Sequence, residues 1–269
     1  MPEIGEVATF ADDLNGLLKD KVLVGYRYTN DFKHYRNIDK IKKSKLIKVF
    51  NRGKKIIFEF ETGFFMSSLG LEGSWYLGHD RGSTILCFLF AREIDNYLMI
   101  EDEIGYQDTR HGGWLEWFDT WEELENRLEI GYDLLRSPPT LTQWKEVFQN
   151  PKFKNKVVCE FLLEQKYFAG IGNYLRAMCL YLARIHPERK LSSLTEEEIE
   201  RLYERTIETV RKSYQERGAS LRTYKDLFGR KGNFEVLIYG QRTDPNGNLV
   251  ESFYDKDRRR VWFVPNVQI

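Results

Sequence analysis

The second residue of this chain is a proline, and removal of Met1 would leave its secondary amine at the chain start. An α-amine has an ordinary pKa of about 8, so a useful fraction is neutral and nucleophilic near neutral pH. A secondary amine that attacks a sugar C1′ yields an iminium, the cationic relative of a lysine Schiff base. The iminium acidifies the C2′ protons, and elimination can then break the attached strand. Glu3 and Glu6 lie close enough in sequence to supply an acid and a supporting hydrogen bond. Taken alone, Met-Pro-Glu is far more often an arbitrary start.

Four further groupings could take part. Arg52-Gly53-Lys54-Lys55 heads an apolar run, where Lys54 on a turn can pin a phosphate beside a reacting sugar; a solubilising charge is the plainer reading. In SLGLEGSW (68–75) two glycines flank Leu71 and present an apolar tip, which could fill the hole left by an extruded nucleotide. A core leucine beside a turn would look the same. GIGNYLR (170–176) places Gly170 and Gly172 before Asn173 at a helix start, where backbone N–H groups and the positive helix end suit a phosphate. Near the end, Arg258, Arg259 and Arg260 sit at the tip of an expected hairpin whose strand carries Trp262 and Phe263. Basic residues on such a ribbon can hold phosphates.

These pieces need a scaffold. Residues 5–18 have the spacing of an amphipathic helix, with Val7, Phe10, Leu14, Leu17 and Leu18 on one stripe. Short runs rich in Val, Ile, Phe and Tyr follow (22–29, 45–50, 54–61, 63–70, 83–91, 96–103), which predicts a sandwich or barrel. The paired prolines in 131–140 predict a linker. Helices are expected at 142–148, 155–165 and 173–185, and a long one from Thr195, entered by a T-E-E-E capping box. Strands return at 234–241 and 259–265, with the turn DPNGN between them. The expected fold is therefore α+β, with a β-sandwich catalytic domain (1–130), a linker (131–139), a helical domain (140–232) and a terminal β-hairpin (233–269).

Basic and acidic residues number 41 each, so bulk charge does not point to an anionic partner. Their distribution does. Arg36, Lys40, Lys42, Lys43, Lys45, Lys48, Arg52, Lys54 and Lys55 are accompanied by one acid, Asp39, while acids gather at 116–129 and 196–200. Counterion release rewards local rather than net charge, although a solvated face is the commoner meaning of any single run. Cys87, Cys159 and Cys179 form no CxxC pair and the four histidines are scattered, so neither a disulfide framework nor a zinc site is expected. No run approaches the roughly 18 apolar residues of a membrane span, and the start lacks the basic stretch of a signal peptide.

In this order the pieces resemble the formamidopyrimidine-DNA glycosylase / endonuclease VIII family. The likeness rests on PExxE at 2–6, RGK at 52–54, LGxxGS at 69–74, DxR at 108–110, QKYFxGIGNYLRA at 165–177, IHP at 185–187 and YG at 239–240, and covers nearly the whole chain. The NYLRA form is more similar to the endonuclease VIII branch. The resemblance implies a two-domain intracellular enzyme that removes oxidised bases from DNA and nicks the strand, with a helix–two-turn–helix and no metal or organic cofactor. Pro2 would be the nucleophile and Glu3 the acid that helps open the sugar. Lys54 and Asn173 would bind phosphates, Arg259 would be the finger arginine, and Leu71 the void-filling residue. A monomer is the default, and damaged DNA, single- or double-stranded, the partner.

Four positions depart from the family pattern. Val264 and Val267 stand where the last finger cysteines would fall and the earlier pair is lost in DPNGN, which implies a zincless finger. Met178 replaces a glutamate after NYLRA. DTRHGG keeps Arg110 but puts Gly112 at the wedge phenylalanine, which implies a weaker grip on the opposite strand and activity on single strands. Gly5 replaces a second proline. The stretch from Ser220 to Tyr239 is short for the loop that covers 8-oxoguanine, so oxidised pyrimidines and hydantoins are the expected lesions. Two alternatives stand beside this reading: a non-catalytic nucleic-acid-binding module, and an abasic-site lyase with little base excision.

Overall fold

The computed structural model describes residues 2–29, 32–78, 84–95, 97–220 and 225–269. The described chain is α+β and divides into two compact units. One comprises Pro2, Glu6–Glu129 and 225–232; the other comprises Glu3–Gly5, Ile130–Ser220 and Asn233–Ile269.

The first unit is built on α1 (Ile4–Leu18), whose Val7, Phe10, Leu14 and Leu18 are buried at helical spacing. Nine strands follow among the described residues: β1 (Val22–Tyr28), β2 (Tyr35–Arg36), β3 (Ser44–Arg52), β4 (Lys55–Phe60), β5 (Gly63–Ser68), β6 (Ser74–Leu77), β7 (Thr84–Ile94), β8 (Tyr97–Gln107) and β9 (Trp114–Phe118). Their order is β2-β9-β5-β4-β3-β1-β7-β8-β6. The sheet folds over at β1 and β3, so its two halves face each other through aromatic rings. Phe65 and Phe88 lie 5.0 Å apart, Phe58 and Phe88 6.0 Å, and Phe60 and Phe90 6.5 Å, the spacing of favourable edge and stacked pairs. Ile56, Phe58 and Phe60, two residues apart, enter this core from β4. Leu227 joins the same core, so 225–232 return to the sandwich and not to the helical part, where the sequence placed them.

The acidic stretch after β9, read from sequence only as charge, contains the helix α2 (Trp121–Leu128). Thr120 Oγ1 accepts the Glu123 N–H, and Glu122 and Glu123 lie in the first turn, where the helix dipole favours negative charge.

The second unit contains β10 (Tyr132–Asp133), α3 (Leu141–Phe148), α4 (Val158–Phe161), β11 (Phe168–Ala169), α5 (Asn173–Ala183), α6 (Glu196–Gln215), β12 (Glu251–Tyr254) and β13 (Arg260–Phe263). The stretch expected as a linker is tied down: β10 pairs in parallel with β11, and Asp133 Oδ1 accepts the N–H groups of Leu135 and Arg136. The capping box at Thr195 is present, Glu198 N–H to Thr195 Oγ1 at 3.2 Å and Thr195 N–H to Glu198 Oε2 at 2.8 Å. Two expectations change. The helix at 155–165 reduces to the short α4, because Val158 and Cys159 give their N–H groups to the carbonyls of Arg189 and Pro187. The run 234–241 is no strand; Phe234, Val236 and Ile238 are buried as irregular chain.

No helix among the described residues is long and apolar enough to cross a membrane. Cys87, Cys159 and Cys179 are free thiols, all buried, and burial pushes Cys159 and Cys179 up to about 12. Because the thiolate is the reactive form, the native protein should consume almost no thiol reagent at neutral pH, and three equivalents in denaturant. Rapid labelling of any one cysteine in the native protein would refute this packing.

Candidate functional site

The N-terminal segment is seated on the turn that precedes α5. Ile4 donates its N–H to the Gly170 carbonyl at 3.1 Å. The Glu3 carboxylate, 1% exposed, accepts three backbone N–H groups: Gly172 at 2.6 Å, Tyr174 at 2.8 Å and Leu175 at 3.2 Å. A carboxylate thus occupies the positive end of α5, and since an ionised carboxylate only accepts, these donors favour its charged form. The two glycines make the approach possible. A Cβ on Gly172 would lie 2.4 Å from Glu3 Cδ, and one on Gly170, at φ +120°, 2.4 Å from Ile4 Cδ1. Gly170 gives its own N–H to Gln165 Oε1 at 3.0 Å. The N–H groups of Gly170 and Gly172, expected for a phosphate, are therefore engaged with Gln165 and Glu3, and the glycines serve the seating of Glu3 and Ile4. Pro2 is covalently next to this anchored residue, while Met1 lies outside the described residues. Glu6 is buried in the first turn of α1.

Asn173 and Arg176, on the first turn of α5, fix the terminal hairpin. Asn173 Nδ2 donates to the Arg260 carbonyl at 3.0 Å, and its Oδ1 accepts from the Arg176 guanidinium. Arg176, fully buried, pairs through Nη1 with Asp255 Oδ2 at 2.7 Å. The other oxygen of Asp255 accepts the N–H groups of Arg259 at 2.8 Å and Asp257 at 3.1 Å. Burial alone would raise the Asp255 carboxyl; the Arg176 guanidinium and the Arg259 and Asp257 N–H groups outweigh it and hold it below the usual carboxylate range. The tip is thus a fixed turn with Arg259 exposed on it. Arg260 stacks on Trp262, and Lys256 pairs with Glu160 at 2.8 Å.

Behind the tip, Val264 sits with Ala177, Tyr181 and Ile238 in an apolar cluster, with Val267, Val250 and Trp262 packed against it. Asp244 in the DPNGN turn accepts the N–H groups of Asn246 and Asn248 and the Tyr181 hydroxyl at 3.0 Å. Met178 is buried, and its Sδ lies 3.3 Å from the Leu237 N–H. Among the described residues no group of three or more His, Cys, Asp or Glu is placed to hold a metal ion.

In the sandwich, two loops carry the other expected residues. Leu71, 49% exposed, tips the loop between β5 and β6. Glu72 beside it pairs with Arg110 Nε at 2.8 Å and accepts the Thr109 hydroxyl at 3.0 Å. Gly70, at φ +56°, meets the second loop backbone to backbone; a Cβ there would lie 2.4 Å from the Gly112 carbonyl carbon. Buried Asp108 shapes that second loop by accepting the N–H groups of Arg110 and Gly113. Leu71 and Arg110 are therefore brought together, Gly112 offers no side chain, and His111 beside it is exposed at φ +51°. Lys54 lies in the two-residue turn between β3 and β4, whose first residue, Gly53, has φ +52°. Several lysines of the basic run are neutralised locally: Lys40 by Asp119 at 2.8 Å, Lys45 by Asp20 at 3.4 Å and Lys48 by Glu59 at 3.1 Å.

Sequence reasoning missed Asp255, Glu72 and Asp244, each an acid that organises one of these loops. Their only sequence signal is an Asp or Glu within a turn, which is too common to single out.

Comparison with known proteins agrees with this architecture. The family model described as the formamidopyrimidine-DNA glycosylase N-terminal domain matches residues 1–115, and that of the formamidopyrimidine-DNA glycosylase H2TH domain matches 131–225. Formamidopyrimidine-DNA glycosylase of Bacillus cereus is 30% identical over 258 residues, 91% of this chain and 90% of the relative. The MutM (Fpg) protein of Thermus thermophilus superposes with a TM-score of 0.86 at 26% identity, over 99% of this chain and 98% of that one. A Lactococcus lactis Fpg variant, solved with DNA containing Fapy-dG, gives 0.88 at 24% identity over 99% of both chains. These relatives bear the formamidopyrimidine name, so they lend no support to the endonuclease VIII branch. The segment matches, the identity over nine-tenths of both chains and the shared fold together establish that this chain belongs to the formamidopyrimidine-DNA glycosylase family.

Proposed function

We propose that the protein is a bifunctional DNA glycosylase and abasic-site lyase of base excision repair, with the Pro2 amine as its nucleophile. The observation that carries this reading is the seating of Glu3 on three backbone N–H groups, which immobilises the residue attached to Pro2. Neutral Pro2 nitrogen bonds to C1′ of the damaged nucleotide, and the base leaves with the glycosidic electron pair and takes up a proton. The Glu3 carboxylate takes the proton of the attacking Pro2 amine and passes it to O4′ as the C1′–O4′ bond breaks, which leaves an iminium on Pro2. Loss of a C2′ proton then expels the 3′ phosphate, a second elimination expels the 5′ phosphate, and water releases the amine.

Glu3 thus acts as the acid that helps open the sugar, as the resemblance implies, and between transfers its charge favours the cationic iminium on its neighbour. Glu6 supports the segment from inside α1. Lys54 holds one phosphate near the lesion and Asn173 another; the Asn173 amide has two hydrogens and the Arg260 carbonyl takes one. Arg259 contacts the strand from its fixed turn. Leu71 fills the gap left by the extruded nucleotide, with Arg110 alongside. The finger is closed by apolar packing in place of a metal.

Gly112 at the wedge position favours activity on single strands as well as duplexes. The short stretch before Tyr239, of which 221–224 lie outside the described residues, favours oxidised pyrimidines and hydantoins over 8-oxoguanine, as in the endonuclease VIII branch. The enzyme acts as a monomer wherever DNA is kept.

The test is borohydride trapping on oligonucleotides carrying an oxidised pyrimidine, 8-oxoguanine or an abasic site, in single and double strands, with mass spectrometry of the N-terminus. A covalent adduct at Pro2, lost on acetylation of its amine, is the expected result. Trapping on the abasic site alone would reduce the activity to a lyase. No adduct on any substrate, from protein with a confirmed free Pro2, would leave a DNA-binding module without chemistry.

A further inference from the structure

The local ion pairs of the basic run leave a cationic group that the mechanism above does not use. Arg52 and Lys55 are cross-strand partners that flank the Gly53-Lys54 turn. Lys55 pairs in register with Ser68 on β5, and Ser68 with Trp114 on β9. Directly opposed residues of antiparallel strands share a face, so Arg52, Lys55, Ser68 and Trp114 form one row across four strands. At about 4.8 Å per strand the row runs for roughly 14 Å.

Its far end is built on Trp114. The Arg127 guanidinium, from α2, lies 4.4 Å from the Trp114 ring centre and that of Arg36, from β2, 5.4 Å. Arg127 is steadied by Glu116 at 3.1 Å, an acid within the cluster. Arg36, Arg52, Lys55 and Arg127 thus stand against Glu116. Two details mark the row as underfilled. Arg52 Nε is buried with no hydrogen-bond partner among the described residues. Burial, with Arg127 and Lys54 nearby, pushes the Lys55 ammonium down to about 8. Among the described residues Glu116 is the one acid placed with Arg36, Arg52, Lys55 and Arg127, and it does not match four cations.

We infer that the row Arg52–Lys55–Ser68–Trp114, with Arg127 and Arg36 at its end, is a phosphate track that holds backbone phosphates of the DNA strand beyond the one assigned to Lys54. At 3.4 Å of rise per nucleotide, about 14 Å corresponds to roughly four nucleotides, so the track meets more than one phosphate. The inference rests on the DNA-processing reading and adds a flanking-strand subsite to it.

The test is the salt dependence of binding, by fluorescence anisotropy, of a labelled single strand and a labelled duplex carrying an oxidised pyrimidine. Wild type is compared with Arg52→Gln, Lys55→Gln, the double variant and Lys55→Arg at pH 7, each with its melting temperature. Each neutral substitution should flatten the log Kd against log salt slope by roughly 0.7 on the single strand and 0.9 on the duplex, with Lys55→Arg restoring it. The Lys55 contribution should also fade as pH rises past about 8 in wild type, because only its protonated form attracts phosphate, and should persist in Lys55→Arg. The charged groups that face it are Arg52 across the strand pair, Lys54, Arg127 and Glu116. Unchanged slopes in folded Gln variants, or a pH-independent wild-type slope, overturn the track while leaving the DNA-processing reading intact. Failure of wild type itself to bind either DNA would instead overturn the reading on which the track rests.

Discussion

Asp255→Ala is expected to destabilise the protein by about 3–5 kcal/mol, the range for removing one partner of a buried ion pair, and to abolish productive DNA engagement by the hairpin. The cost comes from what is left behind. Arg176 is fully buried; without Asp255 its Nη1 keeps the Cys159 carbonyl at 3.4 Å, while its Nε already has no partner among the described residues. The N–H groups of Asp257 and Arg259 lose their acceptor at the same time, so the turn that presents Arg259 comes apart. At roughly 2–4 °C per kcal/mol for a chain of this size, the melting temperature should fall by roughly 10 °C. Arg176→Met should cost a comparable amount. The double variant Arg176→Met/Asp255→Leu should recover much of the stability, since apolar residues can replace a buried pair with little loss, yet should not recover DNA cleavage, because no carboxylate then gathers the tip. A double-mutant cycle in urea measures the coupling. Additive losses, with no recovery in the double variant, would show that the pair does not act as a unit.

The same contact marks the limit of what the sequence carries. Short runs rich in Val, Ile, Phe and Tyr exposed most strands of the sandwich, and the T-E-E-E signal located the start of α6. Four-residue β6 is too short for periodicity to register, and α2 hid behind its glutamates although Thr120 caps it. The run 234–241 has strand chemistry but makes, among the described residues, no more than the isolated bridge of Phe234 with Ala219, a tertiary circumstance that overrides β propensity. For the site, residue types and their order were legible, whereas the partners were not. Glu3 meets Gly172 across 169 positions and Arg176 meets Asp255 across 79. No local spacing encodes such pairings. Glycines before a helix therefore suggested an open anion site, when the anion at that helix end is the protein's own Glu3.

That substitution of an internal carboxylate for an external phosphate sets the second large expectation. Glu3→Gln keeps the volume of the side chain but offers one acceptor oxygen in place of two, and turns an NH2 group toward backbone N–H donors. Unpaired buried donors cost about 1–3 kcal/mol each, so the segment should lift from the start of α5. A displacement of about 1 Å at a reacting group can lower the rate roughly 100-fold, and loss of the carboxylate removes the charge that favours the iminium. Borohydride trapping on an abasic-site oligonucleotide should therefore slow by about 10²–10⁴-fold, with Kd for the same DNA changed only a few-fold. A trapping rate within threefold of wild type would sink the proposed role of Glu3. Gly172→Ala separates placement from charge. Its Cβ would stand 2.4 Å from Glu3 Cδ and force the side chain off the helix end while leaving the carboxylate in the protein. If seating is what matters, Gly172→Ala should approach the loss seen in Glu3→Gln; if charge alone suffices, it should trap at close to the wild-type rate.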